Sequence, residues 1–160
     1  FGIGSGSGVI FGVTGGVTEA VLRRLQQGHN RVDMESIKKS GVRGDDGIKV
    51  LTYNYNGREI KAAVVNGLAN ADKVLQQIKN HEAEYDFVEV MACRRGCIMG
   101  GGQPVNAGPR TRKARMKGLY DTDVNTQIKK SNENPMILSL YDTLLKGKEH
   151  ELLHRNFSGK

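Results

Sequence analysis

Residues 89–104, from Glu89 to Pro104, read E-V-M-A-C-R-R-G-C-I-M-G-G-G-Q-P. They overlap Phe87–Met91, a short apolar run with the length and content of a β-strand. Cys93 and Cys97 therefore lie four apart just past a strand end, where α/β proteins place their ligands. Arg94, Arg95 and the nearby backbone amides favour the thiolate, the form that binds metal. Gly100-Gly101-Gly102 lets main-chain N–H groups approach an anionic group closely. Spacing alone leaves a plainer reading open: two inert buried thiols, or a facultative disulfide, beside a glycine turn. C-x3-C without further ligands is a weak signal.

Working upstream, two strands are predicted at Ile48–Asn54 and Glu59–Val65, joined across Tyr55-Asn56-Gly57, and Asn-Gly is a strong hairpin signal. The spacing of Leu68, Ala71, Val74, Leu75 and Ile78 predicts a helix over Leu68–Asn80. A further helix is predicted from Thr14, with Val17, Ala20, Val21, Leu22 and Leu25 as its apolar stripe and Gly28 as its stop. Residues 1–16 hold seven glycines among Ile3, Val9, Ile10, Phe11 and Val13, a mixture expected where backbone packs too closely for side chains. The chain opens F-G-I-G-S-G without Met or a polar lead-in, which is expected of the C-terminal part of something larger.

Downstream of Pro109 the character changes. Residues 110–117 carry five basic side chains in eight positions. A polar stretch runs through Gln127–Asn134, a capped helix begins at Asn134-Pro135 and runs through Met136, Leu140 and Leu144, and the tail ends HELLHRNFSGK. The last fifty or so residues thus look like a mainly helical appendage to an α/β body.

The whole chain has 160 residues, a formal charge of +7, 38% hydrophobic residues, 21 glycines and 3 prolines. Without a G-X-Y period a collagen-like chain is excluded, and two cysteines cannot staple a secreted mini-scaffold. No apolar run approaches the roughly 20 residues of a membrane span, and no signal pattern precedes the first helix. A soluble, cytoplasmic domain with no membrane span is expected.

Taken whole, E-x-M-x-C-x-x-G-C-x-x-G-G-G-Q-P resembles the last of the three signature motifs of the FeFe hydrogenases. Phe1–Ala20, Val42–Lys49 and Val64–Gly67 resemble further segments of that family. So do Leu119-Tyr120, Glu133–Pro135, Leu140-Tyr141 and the H-x-L-L-H of His150–His154. The likeness implies an α/β fold: a mixed or parallel sheet with flanking helices forming one lobe of the H-cluster domain, plus a mainly helical C-terminal extension. It implies a large-subunit part over residues 1–108 and a small-subunit-like part over residues 109–160.

By the same resemblance, Cys93 is a ligand of the 4Fe-4S cubane of the H-cluster. Cys97 binds the cubane as well and bridges to its diiron subsite. Met91 packs against that subsite, and Phe11 and Val17 line the apolar pocket around it, where exclusion of water tunes a cluster's potential. A cubane is normally held by four cysteines and this chain has two. The other half of the site is expected from an N-terminal half of the catalytic domain, in the same polypeptide or in a separate subunit. A homodimer pooling its cysteines is the third arrangement. A ferredoxin-like or NAD(P)-linked electron carrier is the expected partner. Two other functions share the fold: a non-catalytic, cubane-only assembly factor, and a low-turnover sensory hydrogenase. Met91, Phe11 and Val17 favour a protein with a diiron group over the first of these.

One position departs from the family. Between the cysteines it commonly carries proline and glycine, where this chain has Arg94-Arg95; two guanidiniums beside an anionic cluster favour its reduced state. Rival motifs are weaker. Gly4–Gly8 lacks the G-x-G-x-x-G spacing of a dinucleotide loop. His150–His154 spells H-E-x-x-H, yet no third zinc ligand follows it, and Leu152, Leu153 and Phe157 suit an amphipathic tail better. The basic run Arg110–Lys117 comes with 6% aromatics and no Trp, so no nucleic acid is expected as partner. It suits a solvated face, or a dock for the missing half or for an acidic donor. His29 and His81 are expected at the surface.

Overall fold

A computed structural model describes residues 2–29, 31–44, 46–105 and 108–154. Phe1 and Phe157, both used above, lie outside the described residues. The chain runs through α1 (Gly6–Val9), α2 (Gly16–Leu25), α3 (Met34–Lys39), β1 (Ile48–Tyr55), β2 (Arg58–Asn66), α4 (Leu68–Lys79) and β3 (Phe87–Met91). It continues through α5 (Pro109–Asn125), α6 (Pro135–Asp142) and α7 (Glu149–Leu153). The α/β reading holds, with a three-stranded mixed sheet in the order β1-β2-β3.

The hairpin forms where Asn-Gly predicts it. Asn56 and Gly57 both take positive φ, 52° and 78°, the turn whose twist matches the strands it joins. The register runs antiparallel from Ile48↔Val65 to Tyr55↔Arg58. β3 pairs with β2 in parallel, Ala62↔Phe87 to Asn66↔Met91, and a parallel pair needs a crossover, which α4 supplies.

β2 is central and buried on both faces, which is why Ala62–Val65 reads as a continuous apolar run. Ala62 and Val64 pack with Leu51 against Leu22, Ile37 and Val42, while Ala63 and Val65 pack against Ala71 and Val74 of α4. A third cluster joins Ile10, Val13 and Ile98 to Met116, Leu119 and Tyr120. This last cluster places the glycine-rich start of the chain between the cysteine segment and α5. Backbone bonds add to it, Gly6 N donating to Ile128 O (2.8 Å) and Ser7 N to Lys129 O (3.1 Å).

The helical stripes expected from the sequence are buried only in part. α2 starts at Gly16 rather than Thr14, and it buries Thr18, Glu19, Leu22 and Arg23 while Val17, Ala20 and Val21 stay half-exposed. α4 buries only Ala71 and Val74; Leu68, Leu75 and Ile78 face outward. Leu144 lies beyond α6 and is exposed. The small helix α3 was not foreseen; Asp33 caps it, its carboxylate accepting from Glu35 N and Ser36 N.

What α2 buries instead is charge. The Arg23 guanidinium donates to Asp123 Oδ2 and to Glu19 Oε1, each at 2.6 Å. Arg43 donates to both Glu19 oxygens at 2.8 Å, and its guanidinium lies 4.0 Å above the Tyr120 ring. Burial works against the Arg23 charge, yet Asp123 and Glu19 hold its pKa above the ordinary arginine value. The helical C-terminal part is therefore tied to the α/β body through its own core and through buried ions.

Burial, against the opposing pull of Arg43, pushes the Tyr120 phenol up to about 12 from 10.0. The unfolded chain then releases that proton first, so stability attributable to Tyr120 is complete below pH 10 and is lost as pH rises toward 12. Lys49 acts in the opposite sense and at lower pH, because burial lowers its pKa from 10.5 and its penalty, present while the ammonium is charged, has faded by the time pH reaches 10.5. Tyr120→Phe isolates the first effect: urea unfolding across pH 9–12 should show a shallower alkaline loss in the variant.

Candidate functional site

The cysteine segment is a turn hung on the C-terminal end of β3. Met91, the last strand residue, is buried. Gly96 N donates to Cys93 O (3.0 Å), Met99 N to Gly96 O (3.1 Å) and Gly100 N to Cys97 O (3.0 Å), so Cys97 opens one turn of 3₁₀ helix. Both thiols are exposed and free. Neither cysteine is buried in this chain, whereas the plainer reading expected two buried thiols.

Two glycines make this turn possible. Gly96 takes φ +82°, and a Cβ there would come 3.0 Å from Gly12 O and 3.1 Å from Thr14 N, on the segment that carries Phe11. A Cβ on Gly100 would come 3.0 Å from Cys93 Sγ, so the missing side chain leaves that sulfur room. Arg95, by contrast, is held at φ +71° without being glycine, a conformation that costs an ordinary residue about 1–2 kcal/mol.

Two buried polar side chains tie the cysteine turn to the N-terminal segment. The Glu89 carboxylate accepts from Gly15 N (2.8 Å), Thr18 N (2.7 Å) and Thr18 Oγ1 (2.7 Å), and so caps α2 from outside the helix. Asn66, at the end of β2, accepts from Arg95 N through Oδ1 (2.6 Å), while its Nδ2 donates to Thr14 Oγ1 (3.4 Å). These clamps bring together the segments that carry the residues expected at the site. Val17 sits in the first turn of α2, half-buried; Phe11 sits on the 3₁₀ turn Ile10–Gly12 and is 46% exposed; Met91, Cys93 and Cys97 sit on the strand end and its loop.

The sequence reading assigned no role to Glu89 or Asn66. A signal was present: F-V-E-V-M places one carboxylate inside an apolar strand, and a buried charge needs donors. Arg115 was also missed as a builder. It donates to Ile98 O (2.8 Å) and Pro104 O (3.3 Å), so at this position the basic run of α5 braces the cysteine loop rather than facing solvent. Lys49 likewise spends its ammonium on the carbonyls of Val42 (2.5 Å) and Gly44 (3.2 Å).

Glu89→Gln is expected to destabilise the full-length protein by about 1–3 kcal/mol, because an amide N–H₂ must then face the N–H donors that the carboxylate accepted. Urea unfolding checks the size, and hydrogen exchange should report the loss first at the α2 N-terminus.

The donor set suits a thiophilic metal. Two exposed cysteines on one turn, with Gly100 leaving room beside one sulfur, are donors of the kind an iron–sulfur cluster takes. They make half of the four thiolates such a cube takes. Among the described residues no group of three or more His, Cys, Asp or Glu is placed to hold a metal ion. His150 and His154 stack with ring centroids 4.8 Å apart, again without a third ligand among the described residues.

Comparison with known proteins agrees with this geometry. Residues 1–101 match the family model of the iron only hydrogenase large subunit, C-terminal domain, and residues 109–160 that of the iron hydrogenase small subunit. Iron hydrogenase 1 of Clostridium pasteurianum is 38% identical, over 94% of this chain and 28% of that protein. The periplasmic Fe hydrogenase large subunit of Nitratidesulfovibrio vulgaris is 44% identical, over 65% of this chain and 25% of that protein. A solved FeFe hydrogenase from Chlamydomonas reinhardtii superposes with a TM-score of 0.63 at 34% identity, covering 97% of this chain and 47% of that one. More distant matches include a probable cytosolic Fe-S cluster assembly factor of Aedes aegypti, 27% identical over 90% of this chain and 31% of that protein. The chain thus spans about a quarter to a third of the curated relatives it matches. No helix among the described residues is long and apolar enough to cross a membrane.

Proposed function

The chain belongs to the iron-only hydrogenase family, and on that premise we propose that it supplies half of the H-cluster site in an enzyme interconverting protons plus electrons and dihydrogen. The observation that carries the reading is the exposed cysteine pair on a turn clamped by Glu89 and Asn66 to the segment bearing Phe11 and Val17. Cys93 and Cys97 would hold the cubane from this side, and Cys97 would be the ligand that also serves the diiron subsite. Met91, Phe11 and Val17 keep that subsite dry. The cluster, when bound, supplies the redox chemistry; the protein supplies ligation, burial and electrostatics.

The remaining thiolates come from the N-terminal half of the catalytic domain, in the same polypeptide or a partner subunit; residues 1–108 form the C-terminal lobe of the large-subunit part and residues 109–160 its small-subunit-like helical extension. The electron partner is a ferredoxin-like or NAD(P)-linked carrier. The compartment in this reading is the cytoplasm, although one relative is named for the periplasm, and cell fractionation decides it.

An infrared spectrum of the native full-length protein, purified without oxygen, tests the reading. Carbon monoxide and cyanide stretching bands are expected. Iron and sulfide without those bands, even after exposure to the maturation machinery, would replace it with the second reading. That second reading is a cubane-only assembly factor, favoured by the likeness to the Aedes protein.

A further inference from the structure

Arg95, between the two cysteines, is held at φ +71°. The other two non-glycine residues at positive φ among the described residues have ordinary turn reasons. Asn56 lies in the β1–β2 hairpin turn, and His81 follows the end of α4, its N–H donating to Ile78 O (3.1 Å). Arg95 has neither. Its N–H donates to Asn66 Oδ1 at 2.6 Å, so the strained residue is held from outside its own turn, and such strain persists only where the surrounding structure enforces it. Asn66 is buried and anchored independently of that turn. Its backbone N–H donates to Gly47 O (2.8 Å), its carbonyl accepts from Asn70 Nδ2 (2.8 Å), and it stands opposite Met91 in the register of β2 with β3. Its side-chain Nδ2 reaches Thr14 Oγ1 (3.4 Å), on the stretch between Phe11 and Val17. One side chain therefore touches both segments expected at the site.

We propose that Asn66 is a positioning residue. By holding Arg95 in the left-handed region it keeps Cys93 and Cys97 presented together on their turn before any metal arrives, at a fixed place against the Phe11–Val17 stretch. The inference rests on the hydrogenase reading for what the turn holds, and on geometry alone for the turn itself. The bonds within the turn, Gly96 N to Cys93 O and Gly100 N to Cys97 O, depend on the chain direction set by Arg95 and Gly96, both at positive φ. An arginine released from Asn66 returns to the ordinary backbone regions and those bonds are lost with it, whereas a glycine holds the conformation without help. Ligands locked beforehand by a supporting hydrogen bond lose little freedom on binding, and they hold one geometry once bound.

Hydrogen exchange of the cluster-free full-length protein tests the turn. In wild type the Arg95 amide should exchange far more slowly than an open loop; exchange at the open-loop rate would overturn the proposal without any variant. Asn66→Ala keeps the backbone bonds of β2, so residues 93–100 should exchange about tenfold faster while residues 60–65 keep their protection. Adding Arg95→Gly should restore the protection of Gly96 and Gly100. Asn66→Asp, which keeps an acceptor for the Arg95 N–H, should retain it. Unchanged exchange over residues 93–100 in Asn66→Ala would overturn the proposal. So would a loss shared equally by residues 60–65, the mark of a merely structural residue, or no rescue by Arg95→Gly. Reconstitution with ferrous iron and sulfide adds a spectroscopic arm. The reduced cubane should give one sharp set of g values in wild type and in Asn66→Ala/Arg95→Gly, and a broadened set in Asn66→Ala; identical line shapes in wild type and Asn66→Ala would overturn the positioning of the ligands. An Asn66-dependent turn in a protein that never shows carbon monoxide or cyanide bands would uphold the clamp and remove the hydrogenase reading.

Discussion

Cys97→Ser in the full-length protein is expected to abolish the carbon monoxide and cyanide infrared bands and with them hydrogen evolution. The proposed bridge is a single sulfur, and no other thiol among the described residues stands on the 3₁₀ turn to replace it. Altering residues that merely orient metal ligands already costs about 10–100-fold, so losing a bridging ligand should exceed that. The substitution itself is mild for the protein. Cys97 is exposed, its backbone bond to Gly100 N is independent of the side chain, and serine preserves the turn. Unfolding of the two cluster-free proteins by urea should therefore match, which separates a lost ligand from a lost fold. Full hydrogen evolution by this variant would sink the assignment of Cys97.

The contrast between that local site and the structure holding it shows what was legible from sequence. The elements β1, β2 and β3 and the turn at Asn56-Gly57 follow from alternation, turn chemistry and apolar runs, which act over a few residues. The cysteine turn was legible for the same reason, since a motif of sixteen consecutive residues carries its own geometry. Glu89, Asn66 and Arg115 were not, because each partner lies far along the chain: Gly15 and Thr18 for Glu89, Thr14 for Asn66, Ile98 for Arg115. Periodicity also misjudged α2 and α4 by ranking side chains by hydropathy alone. On α2, Glu19 and Arg23 displace Val17, Ala20 and Val21 from the buried face because ion pairs satisfy them there.

The exposed apolar residues bear on the same point. Leu68 of α4 is 66% exposed and Leu75 is 60% exposed, although their spacing predicts a buried stripe. Phe11 is similarly open, on the segment clamped to the cysteine turn. In the proposed function Phe11 is covered when the other half of the catalytic domain and the cluster are in place.

Asp123→Ala should give the largest loss of stability of any single change outside the ligands. The buried Glu19, Arg23 and Asp123, with the half-buried Arg43, form a cluster of two negative and two positive charges. Arg23 is fully buried. Removing Asp123 leaves the Arg23 guanidinium with Glu19 as its only carboxylate among the described residues, and Arg43 already shares Glu19. Breaking a buried pair from one side costs about 3–5 kcal/mol, because an uncompensated charge stays behind. The effect reaches the site through α5, since Asp123 anchors the helix whose Arg115 braces Ile98 and Pro104 beside the cysteines. Urea unfolding of the full-length protein should show the loss, and hydrogen exchange should find α2 and α5 opening together. Asp123→Asn, which keeps one acceptor oxygen, should lose less. A pairing worth nothing would leave Asp123→Ala as stable as wild type, with α5 held by the packing of Met116, Leu119 and Tyr120 on Ile10, Val13 and Ile98 and by Arg115.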